Sequence, residues 1–524
     1  MTENDVEDIL LFGKACNNHP RIYTIEHLQT IANKVGLATT RQDYQHLCDG
    51  LRTFFFENGI TTEEELERYV PSGYTIVSEI QSRILGENTD LDILFNSNPD
   101  EFLHSVEYFQ NLKNYNSMVK RLDTDLTNSN GFIYKLNYVA SSKQIYSVIL
   151  KTTQHQESDN LVYEYLVGQC IYEYSKYYPC FAKTYLIGMF LDTAKYNTFM
   201  RQSISKPLDT YIKPIDPRNI ENLVINGCKF NEFLTLFTQY IPFKYNFNDY
   251  LKNFTYRDNV LKKWVLRNEF IFKLYEITVI LHMVYQLLSS FADKFTHYDL
   301  HMENIILVEV PDNNFIHTVF HYPDGRVLHY NMCYIPVIID YGHCFVNCKQ
   351  INESLANSEE IMKIVCNNDS QRNRENPSCP VICGNRSGYH YSSDLDKTGT
   401  FTSASAQTNF IDYTRKNISH DCRLLHELLY YFDFDRLPKE NFIVQQLVIG
   451  IFENLTRMDD RFGTHEDAEL SGININNVII AASKLTDIIT QPKFNIYNDS
   501  LLAKKKLYGT LNIWTDLSRP FQFS

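Results

Sequence analysis

The order of hydrophobic patterns along this sequence predicts an α+β fold in two lobes, a small β-rich lobe and then a mostly helical one, with a helical extension ahead of both. Three observations predict it. Strand-like runs concentrate between 126 and 153, a helix-like run follows at 160–174, and helical periodicity dominates from about 261 onward. At roughly 150 residues per domain, the 524 residues supply chain for two to four domains. The expected boundaries are 1–100 for the extension, 101–242 for the first lobe and 243–524 for the second.

In the extension, Thr24-Ile25-Glu26-His27 opens a run with Leu28, Ile31 and Val35 on one face, closed by Gly36; Leu47 and Leu51 belong to a second helix. Asn96-Ser97-Asn98-Pro99-Asp100 is a loop by composition. Residues 132–139 form strand-like runs, Ser141-Ser142-Lys143 a polar turn, and 145–150 a strand ending on Lys151. The helix at 160–174 carries Leu161, Tyr165 and Leu166 on its apolar side, and 181–186 and 233–240 read as strands. A long helix is expected at about 261–291, followed by the segment 295–310, a hairpin turning at Pro323-Asp324-Gly325 and a strand at 335–340. Residues 343–416 are polar and irregular, and from about 417 the pattern is helical again.

With 44% hydrophobic and 21% charged residues, the chain is neither disordered, collagen-like nor a coiled coil. A net charge of −14 argues against a protein whose main task is gripping nucleic acid or an anionic membrane. The first residues have neither a basic nor an apolar targeting region, and the apolar stretch 270–291 is interrupted by Lys273 and Glu276. The twelve cysteines are therefore expected as reduced thiols, and the location as cytoplasmic.

The chemistry lies in Phe295-Thr296-His297-Tyr298-Asp299-Leu300-His301-Met302-Glu303-Asn304, which has H-x-D-x-x-x-x-N spacing. Downstream, Val337-Ile338-Ile339 runs into Asp340-Tyr341-Gly342; upstream, Ser147-Val148-Ile149-Leu150 ends on Lys151. Each piece alone is weak. In this order, with a Glu-bearing helix between the lysine and the loop, the chain resembles the protein-kinase-like superfamily over about 120–430. It is most similar to the divergent serine/threonine kinases of large DNA viruses, such as iridoviruses and giant viruses.

The resemblance implies ATP and Mg²⁺ as cofactors, a protein Ser/Thr hydroxyl as acceptor and, if the chain is viral, the host cytoplasm or a virion as location. Phosphoryl transfer needs an aligned hydroxyl and neutralised charge. Asp299 is then the base, Asn304 and Asp340 the metal ligands, and Lys151 the partner of the α- and β-phosphates, steadied by Glu164 in preference to Glu157 or Glu173. His297 is expected to support the loop. The adenine-reading hinge is expected at Thr238-Gln239-Tyr240-Ile241, with Gln239 and Tyr240 supplying backbone groups.

Four departures from the family pattern stand out. The phosphate loop, usually G-x-G-x-x-G, keeps only Gly131, with Asn128 and Asn130 as partial stand-ins because asparagine tolerates positive φ. Residues 305–339 have room for an added hairpin, read as 315–322 and 326–330. No Ala-Pro-Glu ends the activation segment, which would span 340–416, while Asp421 looks like the aspartate that braces the catalytic loop. The lysine common two residues after the catalytic aspartate is replaced by His301.

Two side features stay open. Cys344/Cys348 and Cys379/Cys383 have C-x₃-C spacing that permits zinc, against ordinary reduced thiols. Residues 23–52 resemble a SAP-type module that touches DNA in other proteins, against a plain helical appendage with few basic residues. Two rival functions also remain. Asp299-Leu300-His301-x-x-Asn304 resembles the wording of aminoglycoside and choline kinases, which implies a small-molecule acceptor. The degraded glycine loop points to a pseudokinase or virion scaffold.

Overall fold

Lys151 lies on a strand hydrogen-bonded on both sides, and the first sheet is built around that strand. β1 (Val119–Arg121), β2 (Gly131–Val139), β3 (Ile145–Thr153), β4 (Thr184–Phe190), β5 (Ile212–Pro214) and β6 (Leu234–Gln239) form a six-stranded sheet in the order β1-β2-β3-β6-β4-β5. All its pairings are antiparallel. The computed structural model describes residues 119–121, 131–139, 145–153, 160–201, 208–215, 234–241, 245–260, 262–267, 270–310, 313–348, 358, 361, 416–455 and 475–524. The expected extension 1–100, Asn128, Asn130, Glu157, Cys379, Cys383 and most of 349–415 lie outside the described residues.

Between β3 and β4, α1 (Asn160–Ser175) runs close to its expected bounds. It is buried nearly all round, as befits a helix with apolar residues on every side. Gly168 permits its approach to β4, since a Cβ there would overlap the Thr184 side chain. α2 (Thr193–Arg201) follows β4. The strand expected at 181–186 starts later, at Thr184; Phe181 instead makes an isolated bridge to Ile338.

Among the described residues of the second half, short strands are interleaved with the helices. β7 (Tyr245–Asn246), α3 (Phe247–Lys252), β8 (Thr255–Arg257) and β9 (Trp264–Leu266) precede α4 (Lys273–Ser290). The helix expected from 261 therefore starts at Lys273. Trp264-Val265-Leu266 is β-branched and aromatic, and it pairs with β8 on one side and with a strand at Phe432–Asp433 on the other.

Beyond α4 come β10 (Phe295–Thr296), β11 (Ile305–Glu309), β12 (Asn314–His321), β13 (Val327–Met332), β14 (Tyr334–Ile338) and β15 (Phe345–Val346). The added hairpin is β12–β13, and its turn holds Gly325 at φ 84°. Then follow α5 (Arg423–Tyr431), β16 (Phe432–Asp433), α6 (Val478–Ile489), α7 (Asn495–Lys504), β17 (Lys506–Trp514) and β18 (Gln522–Phe523).

β17 falls in the stretch after 417 where the sequence pattern predicts helix. Its alternation of half-exposed and buried residues is that of a strand, and it pairs in parallel with β12. The resulting sheet, ordered β13-β12-β17-β18, packs beside α4, which is buried from Leu274 to Leu288. The whole is a mixed, α+β arrangement of several small sheets and helices. No described helix is long and apolar enough to cross a membrane.

Candidate active site

Two short strand pairings position the loop. The segment 297–304 runs from β10 to β11, and the segment 339–344 runs from β14 to β15. β10 pairs with β15 and β11 with β14, so the two segments are clamped side by side at both ends. The last β11–β14 rung is Ile305–Ile338, and Ile339 N–H donates to the Asn304 carbonyl at 3.1 Å. Asp340, distant in sequence from Asp299 and Asn304, is thereby brought beside their loop.

Lys151 reaches this place from the sheet. Val148 and Leu150 are buried on one face of β3, and alternation puts Lys151 on the other. Its Nζ lies 2.6 Å from Glu164 Oε1 on α1 and 3.1 Å from Asp340 Oδ1. Glu164 is the expected partner; Glu173 instead pairs with Lys176 at the surface, at 2.8 Å. Burial works against the Lys151 ammonium, but the two carboxylates outweigh it and raise its pKa. Burial lifts the Glu164 carboxyl against the pull of Lys151. Asp340 is also penalised by burial, yet Lys151 and His343 hold it below the usual carboxylate range.

The backbone is strained at this point. Tyr298 has φ 61° and Asp340 φ 68°, and neither is glycine. The buried Asp421 carboxylate fixes the first turn by accepting from the N–H of His297 at 2.7 Å and of Tyr298 at 3.0 Å. His297 ties the loop to the neighbouring segment. Asp299 N–H donates to Nδ1 at 3.3 Å, which leaves the ring proton on Nε2, 2.9 Å from the Ile339 carbonyl. Burial pulls the His297 pKa down to about 4, so the ring is neutral near pH 7.

Further along the loop, Asn304 Nδ2 donates to the Asp299 carbonyl at 2.9 Å. The His301 ring lies 3.7 Å from Asp299 Oδ2 and accepts from Glu303 N–H. Three other groups went unnoticed in the sequence. Arg423 Nη1 lies 3.0 Å from Asp299 Oδ1, Glu427 Oε2 accepts from Met302 N–H at 2.8 Å, and His343 adds to the field at Glu164 and Asp340. Arg423 and Glu427 share one face of α5, at i and i+4, but nothing in the spacing says that this face meets the loop.

The remaining expected residues divide. Gly131 opens β2, opposite Thr153. Gln239 N–H donates to the Lys183 carbonyl at 2.7 Å, and its Oε1 accepts from Lys183 N–H at 3.1 Å. Those two groups of Gln239 thus tie β6 to the start of β4, while Tyr240 directly follows β6. Cys344 and Cys348 are buried free thiols, and Cys344 accepts from Tyr163 Oη through its carbonyl at 2.7 Å.

No protein-family model matches the chain, and no curated protein matches it.

Proposed function

We propose that this chain is an ATP- and Mg²⁺-dependent serine/threonine protein kinase of two-lobed, protein-kinase-like fold. The observation that carries the reading is Lys151, held between Glu164 at 2.6 Å and Asp340 at 3.1 Å. A lysine joins a strand, a helix and the segment beside the Asp299 loop, as a phosphate-binding lysine has to do.

The residues present fit the metal. Lys151 carries one positive charge between two carboxylates, which leaves an excess of negative charge at Asp340 for a cation to balance. Carboxylate and amide oxygens suit a hard cation. Asp340 and the Asn304 side-chain oxygen would hold Mg²⁺, since Asn304 Nδ2 is engaged with Asp299. When bound, the ion neutralises charge on the transferring phosphoryl group.

The chain's own residues do the rest. Asp299 orients the acceptor hydroxyl and takes its proton. Lys151 holds the α- and β-phosphates, and Glu164 keeps its side chain extended. His297 and Asp421 fix the loop, and His301 stands beside Asp299 on the acceptor side. The cytoplasm is the expected location, and a protein hydroxyl the expected acceptor.

A second reading has one observation in its favour. His301 replaces the loop lysine and its ring lies 3.7 Å from Asp299 Oδ2, in the D-L-H wording of small-molecule phosphotransferases. Incubation with γ-labelled ATP, Mg²⁺ and a panel of proteins, aminoglycosides and choline separates the readings. Label on serine or threonine supports the first and label on a small molecule the second. No transfer to any acceptor, or to the chain itself, sinks both and leaves the scaffold reading.

A further inference from the structure

Asp299 is met by a cation that does not belong to its own loop. Arg423 Nη1 lies 3.0 Å from Oδ1, and the arginine is only 5% exposed. It sits at the start of α5, directly after the turn that holds Asp421. That turn and helix grip the loop at three successive points. Asp421 takes the N–H groups of His297 and Tyr298, Arg423 takes the Asp299 carboxylate, and Glu427 takes the Met302 N–H. The loop itself offers no permanent cation: between Asp299 and Asn304 it has Leu300, His301, Met302 and Glu303.

We infer that Arg423 is a positioning residue for phosphoryl transfer, supplying from α5 the fixed positive charge beside Asp299 that the loop lacks. The inference rests on the kinase reading above. An arginine buried at a helix start is well suited to the part. Its guanidinium is permanently charged and planar, and most of its side chain is fixed by packing. By holding Oδ1, it turns Oδ2 towards His301 and the acceptor side. Asp299 then keeps one orientation without help from the histidine. The effect acts through Asp299, so it belongs to turnover and not to nucleotide binding.

The test uses the full chain with ATP, Mg²⁺ and the acceptor found above, and measures kcat, KM for ATP and the melting temperature. Removing one preorganised electrostatic partner costs about 10²–10³ in kcat. Arg423→Met is therefore expected to lose about that factor while KM for ATP stays within about twofold. Arg423→Lys should recover part of the loss. Adding His301→Lys to Arg423→Met should recover activity as well, because it restores a cation from within the loop.

A folded Arg423→Met chain with kcat near the parent's overturns the inference, as does a double variant no better than the single one. If Arg423→Met does not melt cooperatively, Arg423→Gln, which keeps a polar head, takes its place with the same expected outcome. An inactive parent overturns the kinase reading and this inference with it; an active parent with an unaffected Arg423 variant overturns this inference alone.

Discussion

Two lysine–glutamate pairs in this protein have the same contact distance and opposite surroundings. Lys151–Glu164 and Lys273–Glu276 each close at 2.6 Å. The second is local, at i and i+3 on α4: Tyr250 Oη also donates to the buried Glu276 Oε2, and the partly exposed ammonium lies over the rings of Phe254 and Tyr250. Its charges balance, and its effect is to fasten α3 against α4. The first joins β3 to α1 and has a second carboxylate, Asp340, against the same ammonium. Identical chemistry thus closes one pair and leaves the other with surplus charge facing a strained turn. On the proposed reading, the pair whose charges fail to cancel locally is the one that serves the site.

The largest test of this contrast is on turnover. Asp299→Asn should lower phosphoryl transfer by at least about 10² with the melting temperature little changed, since asparagine keeps the size and an acceptor oxygen for Arg423. Lys151→Met should lower transfer by at least as much and also lower stability, because it leaves Glu164 and Asp340 without their shared cation. Asp340→Ala should remove the dependence of nucleotide binding on Mg²⁺, measured by titration calorimetry with and without the ion. ATP binding that Mg²⁺ still strengthens as in the parent would remove Asp340 from the metal site.

Lys273→Met should lower stability and spare turnover. Removing the partly exposed lysine leaves the buried Glu276 with Tyr250 as its remaining side-chain donor, which costs about 1–3 kcal/mol. Denaturant unfolding should report that loss, while transfer per folded molecule stays near the parent's. Lost turnover in a fully folded Lys273→Met chain would erase the distinction between the pairs.

A smaller effect is the coupling between Lys151 and Glu164. Once the lysine is gone, Glu164→Gln has little left to disturb, so the double variant should fall short of the summed single losses by about 0.5–3 kcal/mol in transition-state energy. Full additivity would mean that the two do not work as a unit.

The smallest is a slope. Asp421 is a buried carboxyl held by backbone N–H groups in place of a lysine, and burial pushes its pKa up to about 7, against those donors and Arg423. Between its ordinary value of 3.8 and about 7 the folded chain keeps a proton that the unfolded chain has released. Its contribution to stability is thus fully present below the ordinary value and declines as pH rises through this window, by at most about 1.4 kcal/mol per pH unit. Asp421→Asn should flatten that part of the stability profile, read by melting from pH 4 to 7.5 (roughly the window in which the group titrates). An unchanged slope would mean that Asp421 does not titrate there.

Much of the site was legible because it depends on local order. Lys151 lies near the end of a strand that continues to Thr153, Asp299 and Asn304 share one loop at fixed spacing, Asp340 follows an apolar strand, and Pro323-Asp324-Gly325 makes a turn whatever lies around it. Alternation and turn chemistry carry such features, and β2, β3, α1 and the β12–β13 hairpin lie close to where they were expected. Glu164 stands out because it lies well inside the helix, whereas Glu157 precedes it and Glu173 is near its end.

Tertiary structure alone decided the rest. Trp264–Leu266 is a strand because Thr255–Arg257 and Phe432–Asp433 lie on either side of it, and Lys506–Trp514 because β12 offers its edge. Gln239 turned to Lys183, and Arg423 to Asp299, through packing between segments that no spacing rule connects. The amino-acid sequence by itself determined which groups can do chemistry and the short elements that present them. Which distant segment completes each sheet, and which buried cation meets which carboxylate, was settled by the tertiary fold, because burial strengthens and selects a charge contact only after the surrounding chain has closed over it.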